Sequence, residues 1–210
     1  MKDYTNQRFW NHFSRLYDIF MKKDKTAYSE MYDLIGSKLT KGMKVLELAT
    51  GTGLISLAVA DKVHYIEATD FSPQMIAAAK KKKVPENVNF TVQDACKLSY
   101  EDESFDCVII SNALHIMPKP ELALQNIQRV LKKDGVLIAP TFTHADNDKA
   151  GIIKAALMER LGFKAFHKWT QREYCDFLIQ NGFVIERKQV LKADFPITYV
   201  EARKLQEERA

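Results

Sequence analysis

The sequence predicts an α/β protein in which helices cover both faces of a mainly parallel sheet. Between residues 44 and 142, apolar β-rich stretches alternate with segments whose apolar residues recur at helical spacing, which is typical of a parallel sheet. The first of these stretches ends in a glycine turn, Ala49-Thr-Gly-Thr-Gly53. Two later β-rich stretches, 183–192 and 195–203, have no helix-sized segment between them, so they predict an antiparallel hairpin at the sheet edge.

Two amphipathic helices are expected before the sheet, over 9–20 and 28–39, because large apolar residues recur there every three or four positions. The alternating region predicts strands at 44–49, 64–69, 88–92, 105–110 and 135–142, and helices at 54–61, 73–83 and 120–132.

Capping and turn residues support several of these boundaries. Ser72-Pro73 has the pattern of a helix cap followed by a first helical residue, and Asp134-Gly135 predicts a tight turn into the next strand. After a polar loop over 143–149, a helix is expected over 152–161. Thr170-Gln-Arg-Glu173 predicts a capping box, and the helix that it opens should stop at Asn181-Gly182.

Composition indicates an ordinary globular protein in a reducing compartment. Hydrophobic residues make up 46% of the 210 and charged residues 28%, so neither disorder nor a fibrous structure is favoured. The net charge is +4, and the basic run 80–83 is expected to be a solvated helix end rather than a nucleic-acid contact. Cys96, Cys107 and Cys175 are widely spaced, which favours free thiols and no metal site. No apolar run approaches the roughly 20 residues that cross a bilayer, so cytoplasmic location is expected.

The glycine turn and a later acidic residue together predict a site for a nucleoside-bearing cofactor. Glycine lets backbone N–H groups approach a ligand closely, and the helix that follows directs its positive end to the same place. The next strand ends on Asp70, where a nucleotide-binding α/β fold places a partner for ribose hydroxyls.

The chain resembles class I S-adenosylmethionine (SAM) dependent methyltransferases, and most of all the broad group that includes the ubiquinone and menaquinone biosynthesis methyltransferases. The resemblance is carried by five segments in order, 47–53, 70–75, 93–95, 105–112 and 131–135. It implies a Rossmann-like seven-stranded, mainly parallel sheet with an antiparallel edge hairpin, and SAM as cofactor. It also implies one domain over 1–210, with N-terminal lid helices at 1–41, a SAM-binding core at 42–142, and acceptor-side helices and the hairpin at 143–210.

The family pattern has a glycine where this chain has Ala49. A methyl group there is tolerable if the backbone φ is negative. Glu47 is expected either to reach the cofactor ammonium through a water or to orient the loop, and the alternative is that it only hydrogen-bonds loop amides. Asp70 is expected to accept from the ribose hydroxyls, since Ser72 already supplies the helix cap.

The resemblance assigns further cofactor contacts residue by residue. Phe71 and Met75 would border the adenine, although either could be ordinary core. Asp94 would accept from the adenine amino group, beside the Ala95 backbone. The residues assigned to the cofactor are Glu47, Ala49, Gly51, Gly53, Asp70, Phe71, Met75, Asp94, Ala95, Ser111 and Asn112.

Methyl transfer depends mainly on holding the acceptor in line with the methyl group, so few residues need do chemistry. His115 follows the fourth strand and has the pKa range of a general base, but packing over the cofactor or bonding backbone is the favoured alternative. His144 is a weaker candidate. His12, Tyr17 and Tyr28 could close over the pocket as a lid, or only pack.

The function predicted is methyl transfer from SAM to a small-molecule acceptor, in a monomer or homodimer without nucleic-acid or membrane partners. An NAD(P)-dependent oxidoreductase shares the glycine turn, but this turn lacks the third glycine of that class and the chain has no Tyr-x-x-x-Lys pair. A nucleic-acid methyltransferase would carry a Pro-Pro-aromatic motif where this chain has Ser111-Asn-Ala-Leu. A non-catalytic SAM-binding module stays open as an alternative.

Overall fold

The computed structural model describes residues 6, 9–11, 18, 24–143 and 163–206. Within these ranges five α-helices have defined bounds, α1 Lys25–Lys38, α2 Leu54–Val59, α3 Pro73–Ala79, α4 Pro120–Val130 and α5 Gln171–Gln180. Eight strands run over β1 Lys44–Leu48, β2 Tyr65–Asp70, β3 Val88–Val92, β4 Phe105–Ile110, β5 Leu131–Ile138, β6 Thr141–Phe142, β7 Phe183–Leu191 and β8 Ile197–Lys204.

The strands form one sheet in which β1 to β5 are parallel, in the order β3-β2-β1-β4-β5. Strand β8 is antiparallel to β5, β6 and β7. Ile138 lies opposite Glu201 and Thr141 opposite Thr198, so β6 continues β5 with unchanged register past Pro140, which has no N–H to donate. Counted this way the sheet has seven strands, and the predicted α/β fold with its edge hairpin is confirmed.

The central parallel strands β1 and β4 are buried on both faces, which is why their sequences are nearly continuous apolar runs. Val45 belongs to the hydrophobic core that includes α1, α2 and α3, and its neighbour Leu46 to the core that includes α4 and α5. Cys107 is 1% exposed and is part of the first core.

Most element boundaries lie within a few residues of the predictions. The capping box at Thr170 and Glu173 is present, and Gly182 adopts the left-handed φ of 77° after α5. Helix α3 is shorter than predicted, ending at Ala79 rather than 83. Strand β5 starts at Leu131, before the predicted turn, because Leu131 pairs with Phe105 and the register then shifts, so that Val136 pairs with Cys107.

The predicted helices over 9–20 and 152–161 lie mainly or wholly outside the described residues. Within the part of the chain that the structure does describe, no helix has the length and apolar character needed to span a bilayer.

Candidate functional site

The glycine turn between β1 and α2 uses left-handed backbone at three positions. The φ angles are 53° at Ala49, 58° at Gly51 and 80° at Gly53. A Cβ built on Gly53 would lie 2.4 Å from the Phe90 ring, so only glycine fits there. The negative φ expected at Ala49 is wrong: this alanine adopts the left-handed conformation that favours glycine, and its side chain packs against the core that includes α4 and α5.

The Asp70 carboxylate links the end of β2 to the turn. One oxygen accepts from the Gly51 N–H at 2.8 Å, and the other accepts from the Ser72 N–H at 2.8 Å. Burial raises the pKa of Asp70 to about 6, while these two backbone bonds oppose the shift. Among the described residues no lysine or arginine pairs with this carboxylate, so its negative charge is available to a cationic ligand.

Glu47 lies one layer deeper, 2% exposed, where its carboxylate accepts from the Ser56 hydroxyl. Burial raises its pKa to about 7, and the negative charge of Asp70 adds to the shift. Its bond to α2 fits the interpretation that Glu47 orients the loop. The two carboxylates together make the carboxyl ends of β1 and β2 the acidic part of the site.

The residues assigned to the adenine differ in exposure. Phe71 is 39% exposed, whereas Met75 is 2% exposed and lies in the core, which agrees with the alternative given for it. Asp94 accepts from the Cys96 N–H at 2.9 Å through one oxygen, and Ala95 beside it is 9% exposed. The chain therefore places an exposed ring and a carboxylate at the ends of β2 and β3.

The end of β4 meets helix α1. The Ser111 hydroxyl donates to the Met31 sulfur at 3.9 Å, and the Asn112 side-chain nitrogen donates to the Tyr28 hydroxyl at 3.0 Å. Asn112 has a φ of 51°, and its N–H donates to the Pro140 carbonyl at 2.8 Å. Tyr28 is 6% exposed, so α1 covers this end of the sheet with a buried polar contact.

His115 is 1% exposed and held from several sides. Its Nδ1 lies 3.0 Å from the Thr141 hydroxyl, and its ring packs edge-on against Phe142 with centroids 5.7 Å apart. Its carbonyl accepts from the N–H groups of Phe166 and His167 at 2.9 and 3.0 Å. These contacts agree with the packing role that the sequence favoured over a general base.

Sequence reasoning missed three residues that hold the turn and the helix caps. Asp18 accepts from the Thr52 hydroxyl at 2.5 Å and pairs with Lys82 at 2.7 Å, and the Lys82 ammonium donates to the Thr52 carbonyl at 2.9 Å. Asn11 accepts from the Ser72 hydroxyl at 2.5 Å. Lys82 thus contacts the turn, so the expectation that residues 80–83 form a solvated helix end is wrong for Lys82. No sequence pattern indicates these pairs, because the partners lie 30 to 64 positions apart.

Asn6 joins two further segments at the same end of the sheet. Its side-chain nitrogen donates to the carbonyls of Ile116 and Lys164 at 2.9 and 3.0 Å, and its oxygen accepts from the Lys164 N–H at 3.1 Å. The N-terminal residues that the structure describes therefore contact segments that follow β1, β2 and β4, and the lid role stays a prediction. Three predicted residues, His12, Tyr17 and His144, lie outside the described residues.

Chemically, the arrangement combines a left-handed turn, two carboxylates and a polar amide around the ends of neighbouring parallel strands. Ligands of open α/β sheets bind at this edge. The acidic residues suit a cation, and the left-handed turn suits close approach of a sugar or an amino-acid group.

Comparison with known proteins finds similarity to methyltransferases. Residues 46–139 match the family model described as a methyltransferase domain. A demethylmenaquinone methyltransferase of Renibacterium salmoninarum is 36% identical over 112 residues, which cover 53% of this chain and 46% of that protein. The matched part thus spans less than half the length of that relative.

Solved structures share the fold at lower identity. The 1,6-didemethyltoxoflavin-N1-methyltransferase of Burkholderia thailandensis, with bound S-adenosylhomocysteine, has a TM-score of 0.76 at 16% identity and covers 96% of this chain and 88% of its own. The [4+2]-cyclase SpnF has a TM-score of 0.69 at 19% identity, covering 83% of this chain and 80% of its own. One fold therefore carries more than one chemistry.

Proposed function

We propose, from the match of residues 46–139 to a methyltransferase domain, that this chain transfers a methyl group from SAM to a small-molecule acceptor. The observation that carries the proposal is the pairing of Asp70 with the Gly51 N–H at the carboxyl ends of β1 and β2. This contact joins the acidic residue to the glycine turn, so both face one ligand.

The donor and acceptor set fits SAM. Asp70 and Glu47 have no cationic partner among the described residues, and SAM is a cation. The side-chain oxygen of Asn112 is buried without a hydrogen-bond partner among those same residues, which suits an ammonium donor. When bound, SAM supplies an electrophilic methyl group on a positively charged sulfur.

The residues of this chain bind, orient and exclude water. Asp70 would accept from the ribose hydroxyls with the lone pairs that its two backbone bonds leave over. Asn6, Asn11 and Asp18 would hold the N-terminal segment over the site, which keeps acceptor and methyl group together and dry. His115 would position the end of β4 through Thr141.

We further infer that the acceptor is planar and apolar. An aromatic cluster borders the ends of β4 and β6 beside His115, and its members lie 5.1 to 6.4 Å apart: Phe9, Trp10, Phe142, Phe163 and Phe195. Such rings favour an aromatic molecule over a charged one. The curated relative above is named for demethylmenaquinone, which makes the reduced form of that quinone, demethylmenaquinol, the first acceptor to test.

Two measurements test the function. Calorimetry with SAM should give binding, and Asp70→Ala should weaken it severely while Asp61→Ala, at an exposed site, leaves it unchanged. Incubation with methyl-labelled SAM and demethylmenaquinol, or a metabolite extract, should then yield a methylated product. Binding without any product would identify a non-catalytic SAM-binding module, and tight binding of a nicotinamide dinucleotide would indicate the oxidoreductase.

A further inference from the structure

His167 carries a buried ring nitrogen that none of the described residues bonds. The Nε2 atom has almost no exposed surface and no hydrogen-bond partner within that part of the chain, although the side chain as a whole is only half-buried. A buried polar atom without a partner costs folding free energy, because it has given up its hydrogen bond to water. Such an atom is therefore expected where a bound molecule supplies the missing partner.

Stacked rings hold the imidazole of His167 in place. It lies on the Trp169 ring with centroids 4.8 Å apart and planes 12° from parallel, and Trp169 in turn stacks on Phe177 of helix α5 at 4.8 Å. Helix α5 is itself fixed to the sheet, because the buried Tyr174 hydroxyl donates to the Ala139 carbonyl at 2.7 Å. One face of the imidazole is thus covered, and the ring plane is fixed by a packed support before any ligand binds.

The backbone places His167 next to the aromatic cluster that we assign to the acceptor. Its N–H donates to the His115 carbonyl at 3.0 Å. The His115 ring contacts Phe142 and Phe163 of that cluster, with centroids 5.7 and 6.4 Å apart. His115 follows β4, and ligands of open α/β sheets bind at the carboxyl ends of the strands. His167 is thus bonded directly to a residue that packs against two rings of the cluster.

We propose that the Nε2 of His167 hydrogen-bonds a hydroxyl group on a planar aromatic acceptor, an inference that rests on the proposed function. A neutral imidazole nitrogen donates in one tautomer and accepts in the other, and a hydroxyl group can do either. A hydroxyl therefore completes the bonding of Nε2 in both tautomers, whereas a carbonyl oxygen or an ammonium group fits only one. The neighbouring rings bury the apolar part of the same molecule, so His167 selects a phenol-type acceptor over an unsubstituted ring.

The test compares 1-naphthol with naphthalene, which differ only in the hydroxyl group. Equilibrium dialysis with saturating S-adenosylhomocysteine measures the affinity of each compound for the wild type, His167→Phe and His167→Gln. His167→Phe keeps a ring that can stack on Trp169 but has no nitrogen, so it should weaken 1-naphthol about 5- to 20-fold and leave naphthalene within about 2-fold. His167→Gln restores a group that donates and accepts, so it should recover most of the affinity for 1-naphthol.

His64→Phe is the matched control, because His64 is exposed and precedes β2 at the opposite end of the sheet, and it should leave both affinities unchanged. Equal weakening of both compounds by His167→Phe would leave His167 only a packing role, and an unchanged affinity for 1-naphthol would remove the hydrogen bond. Either result overturns the inference and leaves the proposed function standing, as does a wild type that binds S-adenosylhomocysteine but neither aromatic compound. Failure of the wild type to bind S-adenosylhomocysteine overturns the proposed function as well.

Discussion

Replacing Ala49 with glycine should stabilise the protein, because the residue holds a φ of 53°. An L-residue in the left-handed region costs about 1–2 kcal/mol. Glycine loses about 0.5–1 kcal/mol more backbone entropy on folding, and the lost half-buried methyl costs about 0.4 kcal/mol. The balance is a gain of about 0.4 kcal/mol in the free energy of unfolding.

Ala77→Gly is the matched control, since the same chemical change in the exposed face of helix α3 should cost about 0.9 kcal/mol. The two variants should therefore differ by about 1.3 kcal/mol, or about 3–5 °C in Tm for a chain of this size. Urea unfolding followed by circular dichroism measures the difference directly. Equal destabilisation by both substitutions would refute the strain assigned to Ala49.

Four further predictions concern the site. Asp70→Ala should weaken SAM binding at least about 30-fold in calorimetry without unfolding the protein, since a ribose acceptor is lost. His115→Gln should lower the free energy of unfolding by about 1–2 kcal/mol in urea melts while the pH profile of turnover keeps its shape, because the imidazole is buried against Thr141. Lys82→Met should raise the KM for SAM about 3- to 10-fold in steady-state assays by releasing Asp18 from the turn. SAM affinity should rise from pH 5 to 8 as Glu47 and Asp70, with pKa values raised to about 7 and 6, ionise and attract the cation.

The pH prediction has a second part in the protein alone. A carboxyl whose pKa is higher folded than unfolded stabilises the folded state most below the unfolded value, and this contribution is lost as pH rises through the folded value. The contribution of Glu47 and Asp70 to the free energy of unfolding should therefore decline between about pH 4 and pH 7. Proton release on SAM binding, measured by calorimetry in buffers of different ionisation enthalpy, separates the pH dependence of binding from the pH dependence of stability. Uptake of protons on binding contradicts the assignment of Glu47 and Asp70. The packing role of His115 is contradicted if His115→Gln abolishes the acidic limb of the turnover profile, where a general base would be protonated.

The parallel strands could be predicted because burial on both faces leaves a continuous apolar run, as in 105–110. The turn could be predicted because glycine is needed where backbone is left-handed, and Gly53 has no room for a Cβ. In both cases the residue type at a position reflects a requirement of burial or backbone conformation at that same position. The hairpin followed from the lack of a helix between two β-rich stretches.

Features that depend on distant partners left no trace in the sequence. The link from Asp18 to Thr52 joins residues 34 positions apart, and neither residue type is distinctive. The sign of φ at Ala49 was set by the fold around the turn, against the preference of alanine. Helix α3 ended early at Ala79, which left Lys82 able to reach the turn instead of continuing the helix.

The position of β8 has a consequence for synthesis of the chain. Strand β5 can pair with a second strand, besides β4, only after Ile197–Lys204 has been synthesised, since β8 lies between β5 and β7. While the ribosome is still making this stretch, the apolar β5 edge stays open and can pair with another nascent chain. Truncation before Ile197 should therefore give aggregates rather than a smaller folded core, even though every predicted cofactor contact would already have been translated.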